Sequence, residues 1–154
     1  MAGSYAVVAT VNDANYTGSA SGALVITPPN DLATWTDQHF SSTEQNAGLA
    51  APDADPDGDG LTNIAEYALG TDPHHFTQPP VPAMDSNGLS ITFTRPANLP
   101  DVSYIAESSD GLGTWTPIPL VVVIQGATET VRATDPLTAG DPSRRFLRLR
   151  FEPK

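Results

Sequence analysis

The chain has 154 residues, 39% of them apolar, with fifteen prolines, twelve glycines and no cysteine. That composition suits a globular protein with one moderate core or two small ones and many turns, and it excludes disulfides, thiolate zinc sites and thiol catalysis. Eighteen acidic and seven basic residues give a net charge of -11, and every basic residue lies at or beyond Arg95, so the excess falls in positions 1–94; a field of that sign disfavours nucleic acid and anionic membranes and attracts cations.

Along the chain, Tyr5–Val11 and Gly22–Thr27 are rich in valine, threonine and isoleucine around Asn12-Asp13-Ala14-Asn15, which predicts an antiparallel hairpin. A lone hairpin is marginal in water, so it needs further strands. Met1–Asn12 lacks a basic stretch followed by a long apolar one, and the longest apolar run, Leu120–Ile124, is too short to span a bilayer. If the protein is exported, the expectation is that this chain is the tail of something longer or has lost its signal.

Pro28-Pro29-Asn30 reads as a linker. Asp31 then caps a short helix carrying Leu32, Trp35 and His39 or Phe40, and Ser42–Ala47 suggests a second helical turn. The next segment, Asp53 to Glu66, is the most informative in the chain. Its five carboxylates in fourteen residues repel one another unless a cation joins them. With Asp55 opening a twelve-residue loop of the EF-hand type, Asp57 and Asp59 follow at alternate positions and Gly60 makes the sharp turn. Leu61 offers its carbonyl, Asn63 stands at the ninth position, acting through water, and Glu66 closes the loop. Asp53 lies just outside, as a candidate outer or second-ion ligand. Calcium fits this set of hard oxygens better than magnesium, which demands a tighter octahedron and keeps its waters. A plainer reading makes Asn63 and Glu66 a capping box and the Asp-Gly pairs ordinary turns, but it leaves Asp53, Asp55 and Asp57 without a role.

The exit helix is expected over Asn63–Leu69, with Ile64, Tyr67 and Ala68 on one face and Gly70 ending it. Trp35, Phe40, Leu61, Ile64, Tyr67 and Leu69 form the expected small core around the loop. After the connector Gln78–Pro82, six strands are predicted: Leu89–Arg95, Val102–Ser108, Thr114–Ile118, Leu120–Gln125, Thr128–Thr134 and Arg145–Phe151. Their spacing is that of an antiparallel β-sandwich. In the last strand Phe146, Arg148 and Arg150 share one side, with the arginines expected on a solvated face offsetting Glu107 or Glu129. The predicted fold is therefore mainly β, organised as a hairpin (1–27), a helical segment with the calcium loop (28–77) and a β-sandwich (83–154).

Three resemblances attach to these residues. Tyr5–Tyr16 with Gly18-Ser19-Ala20-Ser21-Gly22 resembles the end of a bacterial surface repeat of the MBG kind. The span Asp53–Pro73, with Asp-Pro-Asp-Gly-Asp-Gly-Leu-Thr-Asn, Glu66-Tyr67 and Gly70-Thr71-Asp72-Pro73, resembles a single bacterial thrombospondin type 3 repeat. The wider order, from Trp35 and Phe40 through Tyr104–Trp115 to Arg145–Leu149, is similar to carboxy-terminal regions of large exported proteins of Verrucomicrobia and Planctomycetes. Those resemblances imply a non-catalytic, extracellular or cell-surface module, with neighbouring domains or a surface glycan as partners. Type 3 repeats come in arrays and dockerins carry two loops, whereas this chain has one, which weakens cohesin binding and shared-ion cooperativity.

Catalytic patterns are weak. Gly18–Gly22 has alanine where an esterase elbow has its nucleophile. His74 and His75 are adjacent, an arrangement that turns their rings apart on extended chain, and His39 belongs to another element, so a histidine metal site is disfavoured. The acidic residues that could form a glycosidase pair are already claimed by calcium. The alternative function is a carbohydrate-binding accessory module with Trp115 or Tyr104 as platform; the expectation is that Trp115 fills the sandwich core instead.

Overall fold

Alternating β-branched and small residues form β1 (Gly3–Asn12) and β2 (Thr17–Ile26), which pair antiparallel from Gly3↔Ile26 to Asn12↔Thr17. Asn15 closes the turn by donating its backbone N–H to Asp13 Oδ1 at 2.8 Å. The computed structural model describes residues 3–26, 30–85, 87–136 and 144–154, divided into two compact units, Met1–Asn30 and Asp31–Lys154. Thr27 and the linker prolines Pro28 and Pro29 lie outside the described residues. The hairpin register places Tyr5, Val7, Ala9 and Val11 on the same face as Leu24, Gly22, Ala20 and Gly18. Every described residue of both strands is exposed.

The second unit opens with α1 (Leu32–His39), capped by Asp31, whose carboxylate accepts from Thr34 N at 2.8 Å. Next comes α2 (Ser42–Asn46), with a full capping box between Ser41 and Glu44. Beyond the acidic loop, α3 (Asn63–Leu69) ends at Gly70 in the left-handed region, φ 74°. The sandwich follows: β3 (Ala83–Asp85), β4 (Gly88–Pro96), β5 (Val102–Ser109), β6 (Thr116–Ile118), β7 (Leu120–Ile124), β8 (Thr128–Pro136) and β9 (Phe146–Pro153). Antiparallel pairing orders them β3-β4-β8-β7 in one sheet and β6-β5-β9 in the other. The mainly β fold, the antiparallel sandwich and the leading hairpin agree with the sequence. Strand β3 was not expected. It is three residues long and pairs only across the turn to β4, too little for a periodic signal.

Side chains from the two sheets interdigitate between them, with Ile91 of β4 and Ala133 of β8 against Ala106 of β5 and Leu147 of β9. Helix α3 plugs one end of this layer. Its Ala65 and Leu69 join Leu61, Phe93 and Val131, while Ile64, Tyr67 and Ala68 meet Leu99 and Val102, with Leu32 and Trp35 of α1 alongside. All seven residues of α3 are buried. The predicted one-sided helix is thus enclosed all round, because the sheets cover the face that a local reading gives to solvent.

Trp115 departs from expectation. It is half-buried just before β6, belongs to none of the buried clusters, and carries the Arg148 guanidinium 4.0 Å from its ring centroid. Tyr104, partly buried, packs against the core instead, stacking on Phe93 and donating its hydroxyl to the Ala68 carbonyl at 2.7 Å. Among the described residues, no helix is long and apolar enough to cross a membrane.

Gly70 makes a local prediction. A Cβ there would meet Pro96 Cγ at 2.9 Å on a backbone of φ 74°. Gly70→Ala is expected to lose about 2 kcal/mol in a urea titration, from left-handed strain plus the clash.

Candidate metal centre

The acidic loop is shaped by its own carboxylates. Asp55 accepts from Gly58 N through Oδ1 at 2.9 Å and from Gly60 N through Oδ2 at 3.0 Å. Asp57 Oδ1 accepts from Asp59 N at 3.2 Å, and Asp59 Oδ1 from Leu61 N at 2.7 Å. These bonds wind the chain back on itself, a course that Gly58 and Gly60 permit at φ 77° and 93°. The loop's two ends are tied by backbone bonds, Asn63 N to Ala54 O at 2.8 Å and Ile64 N to Pro52 O at 2.9 Å. The Leu61 side chain, buried in the core, anchors the turn from below.

Ligand-bearing oxygens of Asp55, Asp57 and Asp59 come within 4.8 Å of one another. Asp53 is exposed and stands outside that trio. Glu66, in the first turn of α3, is fully buried, and among the described residues its carboxylate accepts one hydrogen bond, a long one from Thr71 Oγ1 to Oε1 at 3.5 Å. Burial first, then the charges of Asp57 and Asp59, push its pKa up from 4.5 to about 7.

Asn63 corrects the capping-box reading. The N-cap is Thr62, with no side-chain cap bond, and Asn63 is the first helical residue. Its amide nitrogen donates to the carbonyls of Leu49 and Ala51, each at 2.8 Å. Because carbonyls only accept, these bonds fix which end of the amide is nitrogen and turn Oδ1 the other way. That oxygen has no partner.

The same holds at two more atoms. Asp57 Oδ2 and Glu66 Oε2 are also buried without a hydrogen-bond partner. Buried polar atoms are nearly always satisfied, since leaving one bare costs about 1–3 kcal/mol and more when it is charged. Among the described residues, every unsatisfied buried side-chain oxygen belongs to Asp57, Asn63 or Glu66; the remaining unsatisfied atom, Arg132 Nε, is a donor.

Two neighbours of the loop escaped the sequence reading. Thr77 N donates to Asp59 Oδ2 at 2.7 Å, from eighteen positions away. Asp72 lies beside two histidines: His75 Nδ1 is 2.9 Å from Oδ2 and His39 Nδ1 4.0 Å from Oδ1. His74 turns away and donates Nε2–H to the His39 carbonyl at 2.9 Å. The adjacent rings of His74 and His75 thus point to different partners, as expected.

Comparison with known proteins adds one finding. The family model of the MBG domain matches residues 1–30, the first compact unit, and does not reach the acidic loop. No curated protein and no solved structure matches the chain.

Proposed function

We propose that residues 55–66 bind one calcium ion and that the second unit is a calcium-stabilised, non-catalytic structural module of an exported or cell-surface bacterial protein. The observation that carries this reading is the set of three bare, buried oxygens on Asp57, Asn63 and Glu66. In this reading one cation, held first by the gathered trio Asp55, Asp57 and Asp59, also answers Glu66 and, through water, Asn63, with the Leu61 carbonyl completing an oxygen cage of the six-to-eight-ligand kind. No basic residue precedes Arg95, and the arginine ion pairs found among the described residues go to Glu129, Asp85, Asp135, Glu107 and Glu152, outside the loop. The MBG match supports a surface setting, where millimolar calcium suits a site of roughly 0.1–1 mM affinity. The likeness of Asp53–Pro73 to a single thrombospondin type 3 repeat belongs to the same reading.

Equilibrium dialysis against calcium tests it. One ion per chain is expected for the wild type, with binding weakened by Asp57→Ala; a wild type that takes up none would refute the proposal.

The pH dependence follows from Glu66, whose folded pKa of about 7 lies above its ordinary 4.5. A raised carboxyl pKa favours the protonated folded state. In chelator, the stability Glu66 contributes is therefore full below pH 4.5 and lost as pH rises through 7. Calcium binding needs the ionised form, so the ion expels a proton and its affinity rises across the same interval. Between about pH 5.5 and 8 the chelated melt should fall while the calcium-loaded melt holds level, so that the gap between them widens with pH; parallel curves would contradict this.

A further inference from the structure

The outward face of the three-stranded sheet holds a second constellation. Arg148 Nε and Arg150 Nε of β9 donate to the same oxygen of Glu107 on β5, at 2.8 and 3.0 Å. Arg150 Nη1 also donates to Glu152 Oε1 at 2.7 Å. Arg95, Arg132, Arg145 and Arg150 each face a carboxylate of their own, on Glu129, Asp85, Asp135 and Glu152, whereas Arg148 has only Glu107, which it shares with Arg150. Glu107 fixes the plane of the Arg148 guanidinium from one side, and Trp115 holds its flat face at 4.0 Å. The terminal nitrogens of Arg148 have no acceptor among the described residues, and 39% of its side chain is exposed.

A guanidinium held in this way is a rigid fork of unspent donors, suited to two-point recognition of a carboxylate or sulfate. The half-buried indole, covered on one face by that guanidinium, is the platform that holds the fork in place. We propose that Trp115, Arg148 and Arg150 form a binding site for an anionic group carried on a polysaccharide. The overall charge of -11 does not prevent this: the excess lies in residues 1–94, acidic and basic residues balance from Arg95 onward, and charges beyond about 8 Å are largely screened at physiological salt. The site stands independently of the calcium proposal.

Affinity electrophoresis of the full chain, at one saturating calcium concentration throughout, uses gels containing dextran sulfate, carboxymethyl-dextran or plain dextran. The shared backbone isolates the anionic group, and the two charged gels separate sulfate from carboxylate recognition. Retardation is expected in at least one charged gel and not in plain dextran. Arg148→Lys preserves charge but not the fork, and is expected to weaken retention about tenfold, the weight of one charge-assisted bond. Trp115→Ala should weaken retention too, with the thermal midpoint confirming that each variant folds. Equal retention by Arg148→Lys and wild type, retardation by plain dextran, or no retardation in either charged gel would each overturn the proposal.

Discussion

Calcium at a hundred times its dissociation constant is expected to stabilise the wild type by about 2.7 kcal/mol over the chelated protein, near 10 °C in midpoint for a unit of this size. Glu66→Gln should abolish that response. The variant keeps the volume and one carbonyl oxygen at a fully buried position but loses the charge that the proposed site requires. Its behaviour in chelator makes the experiment decisive. At pH 8 the wild-type carboxyl, with a pKa of about 7, is ionised against burial and the charges of Asp57 and Asp59, whereas the glutamine is neutral. Chelated Glu66→Gln should therefore melt at or above chelated wild type, and below it once calcium is added. A variant less stable than wild type by the same margin in both buffers would assign Glu66 a packing role alone.

Asp101→Ala is expected to cost about 3 kcal/mol, because this carboxylate joins elements that are remote in sequence. Its Oδ1 accepts the Tyr67 hydroxyl at 2.5 Å and its Oδ2 accepts Leu32 N, the first amide of α1, at 2.7 Å. Burial, reinforced by Asp101, holds the Tyr67 hydroxyl above the usual phenol range, so it remains a donor at every ordinary pH. The substitution removes both bonds, leaving only the backbone bond from Lys154 N to the Asp101 carbonyl at 2.9 Å. Asp101→Asn retains one acceptor and should lie between the two. A loss below about 1 kcal/mol for the alanine variant in urea titration, the size of one ordinary hydrogen bond, would show that α1 and α3 are held by packing alone.

What the sequence revealed is what is encoded locally. The spacing of Asp55, Asp57, Asp59 and Gly60 announces a turn that brings carboxylates together, and the structure gathers those three residues. Asp31, Ser41 with Glu44, and Gly70 mark helix ends, because caps act within one turn of the chain. Alternation foretold six strands of the second unit, whereas the expectation that Trp115 fills the core missed its half-buried place under Arg148, on a strand 33 positions later. Asn63 read as a cap since its acceptors, Leu49 and Ala51, precede it by a loop whose path no periodicity describes. Asp101 and Thr77 were invisible for the same reason. Their roles exist only once the helices and the connector have docked, and docking distance leaves no spacing in the chain.

The most direct test of the calcium site is a titration of the chelated, isotopically labelled chain followed by amide nuclear magnetic resonance. Saturable shifts at one equivalent of bound ion are expected at Gly58, Gly60, Leu61, the Asn63 side-chain amide and Glu66, with the exposed acidic residues Asp13 and Asp37 unmoved. No shift at Gly60 and Glu66 up to several millimolar calcium, or equal shifts at Asp13 and Asp37, would contradict the account.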